Sequence, residues 1–156
     1  RAAVRDAFIV GVRLSPESSP SLPGIDLDEM VQVARWLCED GADFVHVSLW
    51  NAERMTAKRP REHAARIFRD ALPDEVPIVT AGNVWTEAEA LAQLDHGADA
   101  VALGRAAIAN PDWPRRVLGS GGPPARPPLT ADELRERALG PAFVDYMRKW
   151  KGFVAD

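Results

Sequence analysis

The sequence is short of the residues that several kinds of protein depend on. It has one cysteine, Cys38, one tyrosine, Tyr146, and three histidines. A single thiol excludes an intrachain disulfide and a thiolate cluster for zinc or iron–sulfur. No stretch approaches the roughly 18–20 consecutive apolar residues that span a bilayer, and Arg1–Asp6 is charged where a secretory leader turns apolar. A cytoplasmic location with no membrane partner is the expectation. Basic charge is not in excess either. Nineteen Lys and Arg stand against 23 Asp and Glu, a net charge of −4, whereas phosphate neutralisation along a nucleic acid needs clustered cations. No nucleic-acid partner is expected, and the one dense basic run, Lys58–Arg66, contains Glu62. What remains is 156 residues, 46% hydrophobic and 27% charged, the make-up of an ordinary globular domain.

Four short apolar runs, Phe8–Leu14, Asp43–Trp50, Pro77–Val84 and Asp99–Arg105, read as strands. Three are almost continuously hydrophobic at their centres, as strands buried on both faces of a parallel sheet are. Helical spacing fills the intervals. Over Asp26–Asp40, the residues Met30, Val33, Ala34, Leu37 and Cys38 form a stripe that ends at Gly41. Over Thr86–His96, Thr86 and Glu89 have capping-box spacing, Ala90, Leu91 and Leu94 supply the stripe, and Gly97 closes it. Alternating strand and helix implies βαβ crossovers, in an open sheet or a barrel. The string Asp40-Gly41-Ala42-Asp43 is echoed by His96-Gly97-Ala98-Asp99, so the same tight turn into a strand is expected twice.

Beyond Arg105 the pattern changes. Asn110-Pro111 is expected to start a short helix, and Gly119–Pro128, dense in Gly and Pro, reads as a linker. Thr130 and Glu133 form another capping box, with Leu134, Ala138, Phe143, Val144, Met147 and Trp150 as contacts for two terminal helices. The expected division is 1–118, 119–128 and 129–156.

Chemistry is expected at the strand exits, where α/β folds build their sites. One exit reads Ala81-Gly82-Asn83 and the next Leu103-Gly104-Arg105. Glycine lets an oxyanion approach the backbone, free amides can donate to it, and a guanidinium adds a positive fork, so two such loops make a phosphate cradle. The alternative is that both glycines merely turn corners. Arg13 is a cation inside the apolar run Phe8–Leu14. It must meet a carboxylate, water or an electron-rich ligand, because an unpaired buried guanidinium is costly. His46 shares a strand face with Phe44 and Ser48 and is expected to be a hydrogen-bonded interior residue. Cys38 is expected to be a small buried hydrophobe, and Trp36, Trp85, Trp113 and Trp150 to be packing residues. Trp50, at a strand exit, is placed to line a pocket mouth. Asp26, Asp28 and Glu29 suit a helix start. His63 and His96 have no ligand spacing, so no metal site is expected.

Residues 77–117, PIVTAGNVWTEAEALAQLDHGADAVALGRAAIANPDWPRRV, resemble the last third of the old yellow enzyme (NADH:flavin oxidoreductase) barrel. VGVRLSP at 10–16 is similar to an earlier strand of that barrel, and GADFVHVSLWN at 41–51 fits between. The resemblance implies an FMN-binding (β/α) half barrel, its four strands corresponding to strands five to eight of eight, followed by a helical tail. It implies that Arg13 faces the N1/C2 edge of the flavin. It also implies that Ala81, Gly82 and Asn83 with Leu103, Gly104 and Arg105 hold the FMN phosphate. The chemistry implied is hydride transfer from NAD(P)H to FMN and on to an activated alkene or related small-molecule substrate.

The chain departs from the family pattern in length, since a whole barrel takes ~250 residues. The substrate-orienting His/His or His/Asn pair and the proton-donating Tyr of the family belong to strands absent here, and Tyr146 matches none of them. No catalytic residue is therefore assigned. The expectation is a C-terminal portion of a flavin oxidoreductase, inactive alone, that pairs with another copy or with the N-terminal half of the barrel. The alternatives are a non-catalytic half-barrel module that self-associates, or part of another phosphate-binding barrel such as a dihydrouridine synthase or dihydroorotate dehydrogenase relative.

Overall fold

The computed structural model describes residues 8–18, 24–119 and 121–155; the charged start at 1–6 lies outside them. Four parallel strands form one α/β sheet in the order β1 (Gly11–Leu14), β2 (Phe44–Ser48), β3 (Ile78–Ala81) and β4 (Ala100–Val101). Between them run α1 (Leu27–Glu39), α2 (Ala64–Ala71) and α3 (Glu87–Asp95). This is the expected half-barrel order of strands and crossovers.

The strands are shorter than the apolar runs that contain them, and the Gly-Ala-Asp echo explains part of the difference. Gly41 and Gly97 both take left-handed backbone, φ 88° and 94°, and turn the chain out of a helix. Two residues on, each aspartate clamps the strand beside it. The Asp43 carboxylate accepts from the Val10 amide at 2.7 Å while the Asp43 amide donates to the Val10 carbonyl at 2.8 Å. Asp99 repeats this on Ile78, at 2.7 and 2.8 Å. A side chain thus takes the place of a ladder bond where pairing begins. Phe8 and Ile9 are exposed ahead of β1. The last run, expected to reach Arg105, leaves the sheet after Val101, with one more ladder bond from the Ala102 amide to Thr80.

Register fixes two faces. Val45 pairs with Ile78 and Val47 with Thr80, all four fully buried. Val45, Val47 and Ile78 pack with Leu27, Val31 and Ala34 of α1 and Ala64, Ile67 and Phe68 of α2 in one hydrophobic core. Burying a side chain the size of Phe68 stabilises the fold by about 2–3 kcal/mol. The α1 stripe is rotated from the expected one: Leu27, Val31 and Ala34 face the core, while Met30 and Cys38 flank it, half buried. Trp36, expected to pack, is exposed. The expected α3 stripe is also displaced. Leu91 and Leu94 are exposed and Gln93 is buried, its Nε2 donating to the Ala52 carbonyl at 2.8 Å.

Asp26 caps α1, accepting from the Asp28 and Glu29 amides. Lys58 bridges Asp26 and Asp28 at 2.6 Å each, which holds both carboxyls below the ordinary carboxylate range. Arg59 also pairs with Asp28. Part of the basic run thus serves as counter-charge to the start of α1.

The chain divides into two compact units, the first built on the sheet and the second holding Trp85–Glu87 and the residues from Leu103 onward. The second unit contains α4 (Arg105–Ala109), α5 (Trp113–Val117), β5 (Leu129–Thr130), α6 (Ala131–Glu136), α7 (Pro141–Met147) and β6 (Val154–Ala155). The short helix expected from Asn110-Pro111 forms as α5, starting at Trp113, while Asn110 itself ends α4. It is fully buried, and its side chain exchanges two hydrogen bonds with the Ala125 backbone and takes a third from Arg137. The Gly/Pro-rich segment is therefore pinned to this unit at Ala125. The Thr130–Glu133 capping box forms as expected, and Leu134, Val144 and Met147 are buried. Phe143, Ala138 and Trp150 are exposed instead, and β5 pairs in parallel with β6, an element the pattern did not suggest. No helix among the described residues is long and apolar enough to cross a membrane.

Candidate functional site

The face of the sheet turned away from the helices carries Gly11 and Arg13 of β1, Phe44, His46 and Ser48 of β2, and Val79 and Ala81 of β3. None of these is fully buried. Gly11 is needed here, because a Cβ would stand 2.0 Å from the Phe44 ring that lies across it. Beyond that ring the face becomes polar. Arg13 pairs in register with His46, and its Nη2 donates to Ser48 Oγ at 2.7 Å. The guanidinium that looked anomalous in an apolar run is therefore exposed and steered by a hydroxyl. His46 departs from expectation: its Nε2 is buried and has no hydrogen-bond partner among the described residues. Burial, helped by the neighbouring Arg13 charge, lowers its pKa, so the imidazole is neutral at neutral pH.

At the C-terminal ends of β1 and β2 lies a cavity of about 310 Å³, lined by Glu17, Ser48, Trp50, Asn51, Arg54 and Met55 among others. Trp50 lines this mouth, as its place in the sequence suggested, and is 85% exposed. The wall is held from below through Ala52. Its amide donates to the Gly82 carbonyl at 2.8 Å, and its carbonyl meets His63 Nε2 at 2.9 Å and Gln93 Nε2 at 2.8 Å. The His63 ring stacks on His96, centroids 4.0 Å apart, and its Nδ1 accepts the Ala65 amide to cap α2. Burial lowers the His63 pKa.

The two expected phosphate loops differ in what their glycines do. A Cβ on Gly82 would come within 2.8 Å of Leu49, so this glycine serves a close approach inside the protein. Asn83 beside it takes left-handed backbone, φ 59°, a conformation Asn tolerates better than most residues, and is exposed. Ala81 is half buried and accepts the Leu49 amide at 2.7 Å. In the second unit a Cβ on Gly104 would meet nothing within 4 Å, and Leu103 is half buried. Arg105 opens α4, exposed, with its guanidinium over the Trp150 ring at 6.0 Å. Among the described residues no group of His, Cys, Asp and Glu could hold a metal ion.

Residues 1–120 match the model of the NADH:flavin oxidoreductase / NADH oxidase family. The chain belongs to that family. The NADH:fumarate oxidoreductase of Klebsiella pneumoniae is 36% identical over 117 residues, which are 72% of this chain and 12% of that one. A solved old yellow enzyme homologue from Zymomonas mobilis superimposes with a TM-score of 0.56 at 26% identity, over 72% of this chain and 32% of that one. A phosphoribosyl imidazole-carboxamide isomerase of Bifidobacterium animalis is 34% identical over 119 residues, 76% of this chain and 47% of that one. The chain thus spans less than half the length of each of these relatives. For an NADH:flavin oxidoreductase family member, Arg13 was the informative residue in the sequence. His46 was undervalued, although strand alternation already placed it on the face shared with Ser48. The anchors at Ala52 were missed, since buried His63 and Gln93 have no local signature.

Proposed function

We propose that this chain is the FMN-binding C-terminal portion of an NAD(P)H-dependent flavin oxidoreductase of the cytoplasm, without turnover on its own. The observation that carries the reading is the open polar face, where an exposed, hydroxyl-steered Arg13 stands beside a neutral His46 whose buried nitrogen lacks a partner. A ring system with hydrogen-bonding edges fits this donor set, and FMN is such a group. When bound, FMN supplies two-electron exchange between NAD(P)H and an activated alkene or related acceptor.

The chain's own residues bind and orient. Arg13 would hold positive charge beside the flavin ring, a fixed charge that would favour its reduced, anionic form without reorganisation. His46 offers a neutral imidazole beside it. On the family resemblance, the Ala81-Gly82-Asn83 exit and the Leu103-Gly104-Arg105 exit would each offer backbone amides to a phosphate. No acid, base or nucleophile constellation completes a catalytic site among the described residues. Substrate orientation and proton donation fall to strands outside this chain.

Those strands, or a second copy, would also cover β1 and β4. Each of these strands has one neighbour in the sheet, and Phe8, Ile9, Leu91 and Leu94 are exposed. Light scattering tests self-association: a strictly monomeric 17 kDa species at high concentration would leave completion by the other half.

The similarity to the isomerase favours one other reading, a phosphate-binding barrel portion that takes no flavin. Titrating the chain into FMN and following flavin fluorescence separates the two. The expected result is weak saturable binding that Arg13→Leu weakens, with no NAD(P)H oxidation. Absence of binding at high micromolar FMN would overturn the flavin reading.

A further inference from the structure

We infer that the cavity at the C-terminal ends of β1 and β2 reads the carboxylate of an α,β-unsaturated acid through Arg54, which makes that residue the specificity determinant for the oxidising substrate. Calling the ligand a substrate rests on the function proposed above; its selection as a carboxylate does not.

The loop that carries Arg54 is long and firmly held. β2 ends at Ser48 and α2 starts at Ala64, so fifteen residues connect them, a length that compact domains rarely keep without a use. One anchor is Ala52, fixed by Gly82, His63 and Gln93. The other is Thr56, buried, its amide donating to the Glu62 carbonyl at 3.0 Å and its hydroxyl to the Arg59 carbonyl at 2.9 Å. Glu17, beyond β1, accepts the Ala57 amide at 2.7 Å, and Lys58 ties the same stretch to Asp26. Between these anchors Glu53, Arg54 and Met55 are exposed. The loop thus bears the entropy cost of order while its tip is left open.

The side chains left unspent around the cavity are donors. The Arg54 guanidinium lines it and has no hydrogen-bond or ion-pair partner among the described residues. Asn51 gives its side-chain oxygen to the Glu53 amide at 2.9 Å, which leaves its amide N–H pair. Ser48 Oγ accepts from Arg13, so its own hydrogen remains to be donated. The carboxylate in the described lining, that of Glu17, is already engaged by the Ala57 amide. A positive fork beside spare donors favours a ligand with paired acceptor oxygens, and a carboxylate matches a guanidinium in both charge and spacing. Trp50 and Met55 leave apolar surface open in the same lining, suited to a flat conjugated body. At about 310 Å³ the space is at the lower end of the roughly 300–1,000 Å³ that small-molecule sites occupy. Ser48 belongs to the cavity and also steers Arg13, so the cavity borders the open face to which the flavin is assigned.

The test uses the isotope-labelled chain with cinnamate, the neutral cinnamamide, adenosine 2′-phosphate and FMN as probes. Saturable cinnamate shifts are expected at the Trp50 indole and the Arg54 side-chain N–H, with cinnamamide bound about tenfold more weakly. That ratio reads the selection on the unaltered chain, without any variant. Arg54→Gln should weaken cinnamate about tenfold and leave cinnamamide unchanged. Arg61→Gln, which removes an exposed cation of the same loop outside the cavity lining, should change neither. An unchanged melting midpoint verifies the fold of both variants. Cinnamate binding that is absent, matched by cinnamamide, or weakened equally by Arg61→Gln overturns the subsite, whatever FMN does. Cinnamate held through Arg54 with no FMN binding keeps the carboxylate subsite and removes its substrate role together with the flavin reading. Adenosine 2′-phosphate held through Arg54 more tightly than cinnamate overturns the carboxylate assignment, since the loop would then grip the nucleotide end of a pyridine nucleotide.

Discussion

On one face of the sheet, Val45, Val47 and Ile78 are sealed beneath α1 and α2; on the other, Arg13 is exposed and His46 and Ser48 are half buried. Both faces belong to one sheet, and β2 carries residues of each, so backbone pairing cannot be what distinguishes them. The closed face buries mostly apolar side chains, apart from a Thr80 hydroxyl without a hydrogen-bond partner among the described residues, and holds the unit together. The open face carries little apolar burial and includes a cation and an unsatisfied imidazole nitrogen, groups that cost stability when left without partners. Features that are neutral or costly for folding, gathered on one surface at strand ends, are what a binding site leaves behind.

Four tests put that contrast at risk. The largest effect is expected on the closed side. Phe68→Ala should lower unfolding free energy by about 3–5 kcal/mol, whereas Arg13→Leu should change it by less than about 0.5 kcal/mol. Urea denaturation checks both, and comparable losses would erase the difference between faces. Next come the strand clamps. Asp99→Ala and Asp43→Ala should each cost about 1.5–3 kcal/mol by removing a charged hydrogen bond to a strand amide. A loss at one and not the other would mean that the two similar corners are not equivalent. Thr130→Ala should cost about 1 kcal/mol through the lost cap of α6, and should leave hydrogen exchange in β1–β3 unaltered.

The smallest effect is pH-dependent. His63 is held neutral mainly by burial, so its folded pKa lies below its unfolded value. Its contribution is fully present above the unfolded imidazole pKa and is lost as pH falls through that value toward the lowered one. Burial depresses His46 in the same direction. Thermal stability should therefore decline on acidification below about pH 6.5. Asn at position 63 can still cap α2 and should flatten that decline. An undiminished slope in His63→Asn would place the titration elsewhere.

Much of the architecture was readable because its causes are local. Apolar runs of strand length, Gly41 and Gly97 at helix ends, and the Thr130–Glu133 box each carry their own signal. The face that α1 buries was misjudged because the helix is apolar on more than one side, and only packing against both β1 and α2 selects Leu27, Val31 and Ala34. Asn110 looked like a helix start because Pro111 follows it; its role as a buried hub depends on Ala125 and Arg137, fifteen and twenty-seven residues away. For the site, Arg13 was visible as a charge out of place. Gly82 was visible as a glycine at a strand exit, and the structure adds that a Cβ there would press on Leu49.

The account turns on whether the open face receives a flavin. Titrating FMN into isotope-labelled protein and following each amide by nuclear magnetic resonance asks this residue by residue. The predicted result is saturable shifts at Arg13, His46 and Ser48 and at the Gly82–Asn83 and Gly104–Arg105 exits, with Val31 and Phe68 of the helix-covered core unmoved. Shifts confined to the helix side, or none at any FMN concentration, would contradict it.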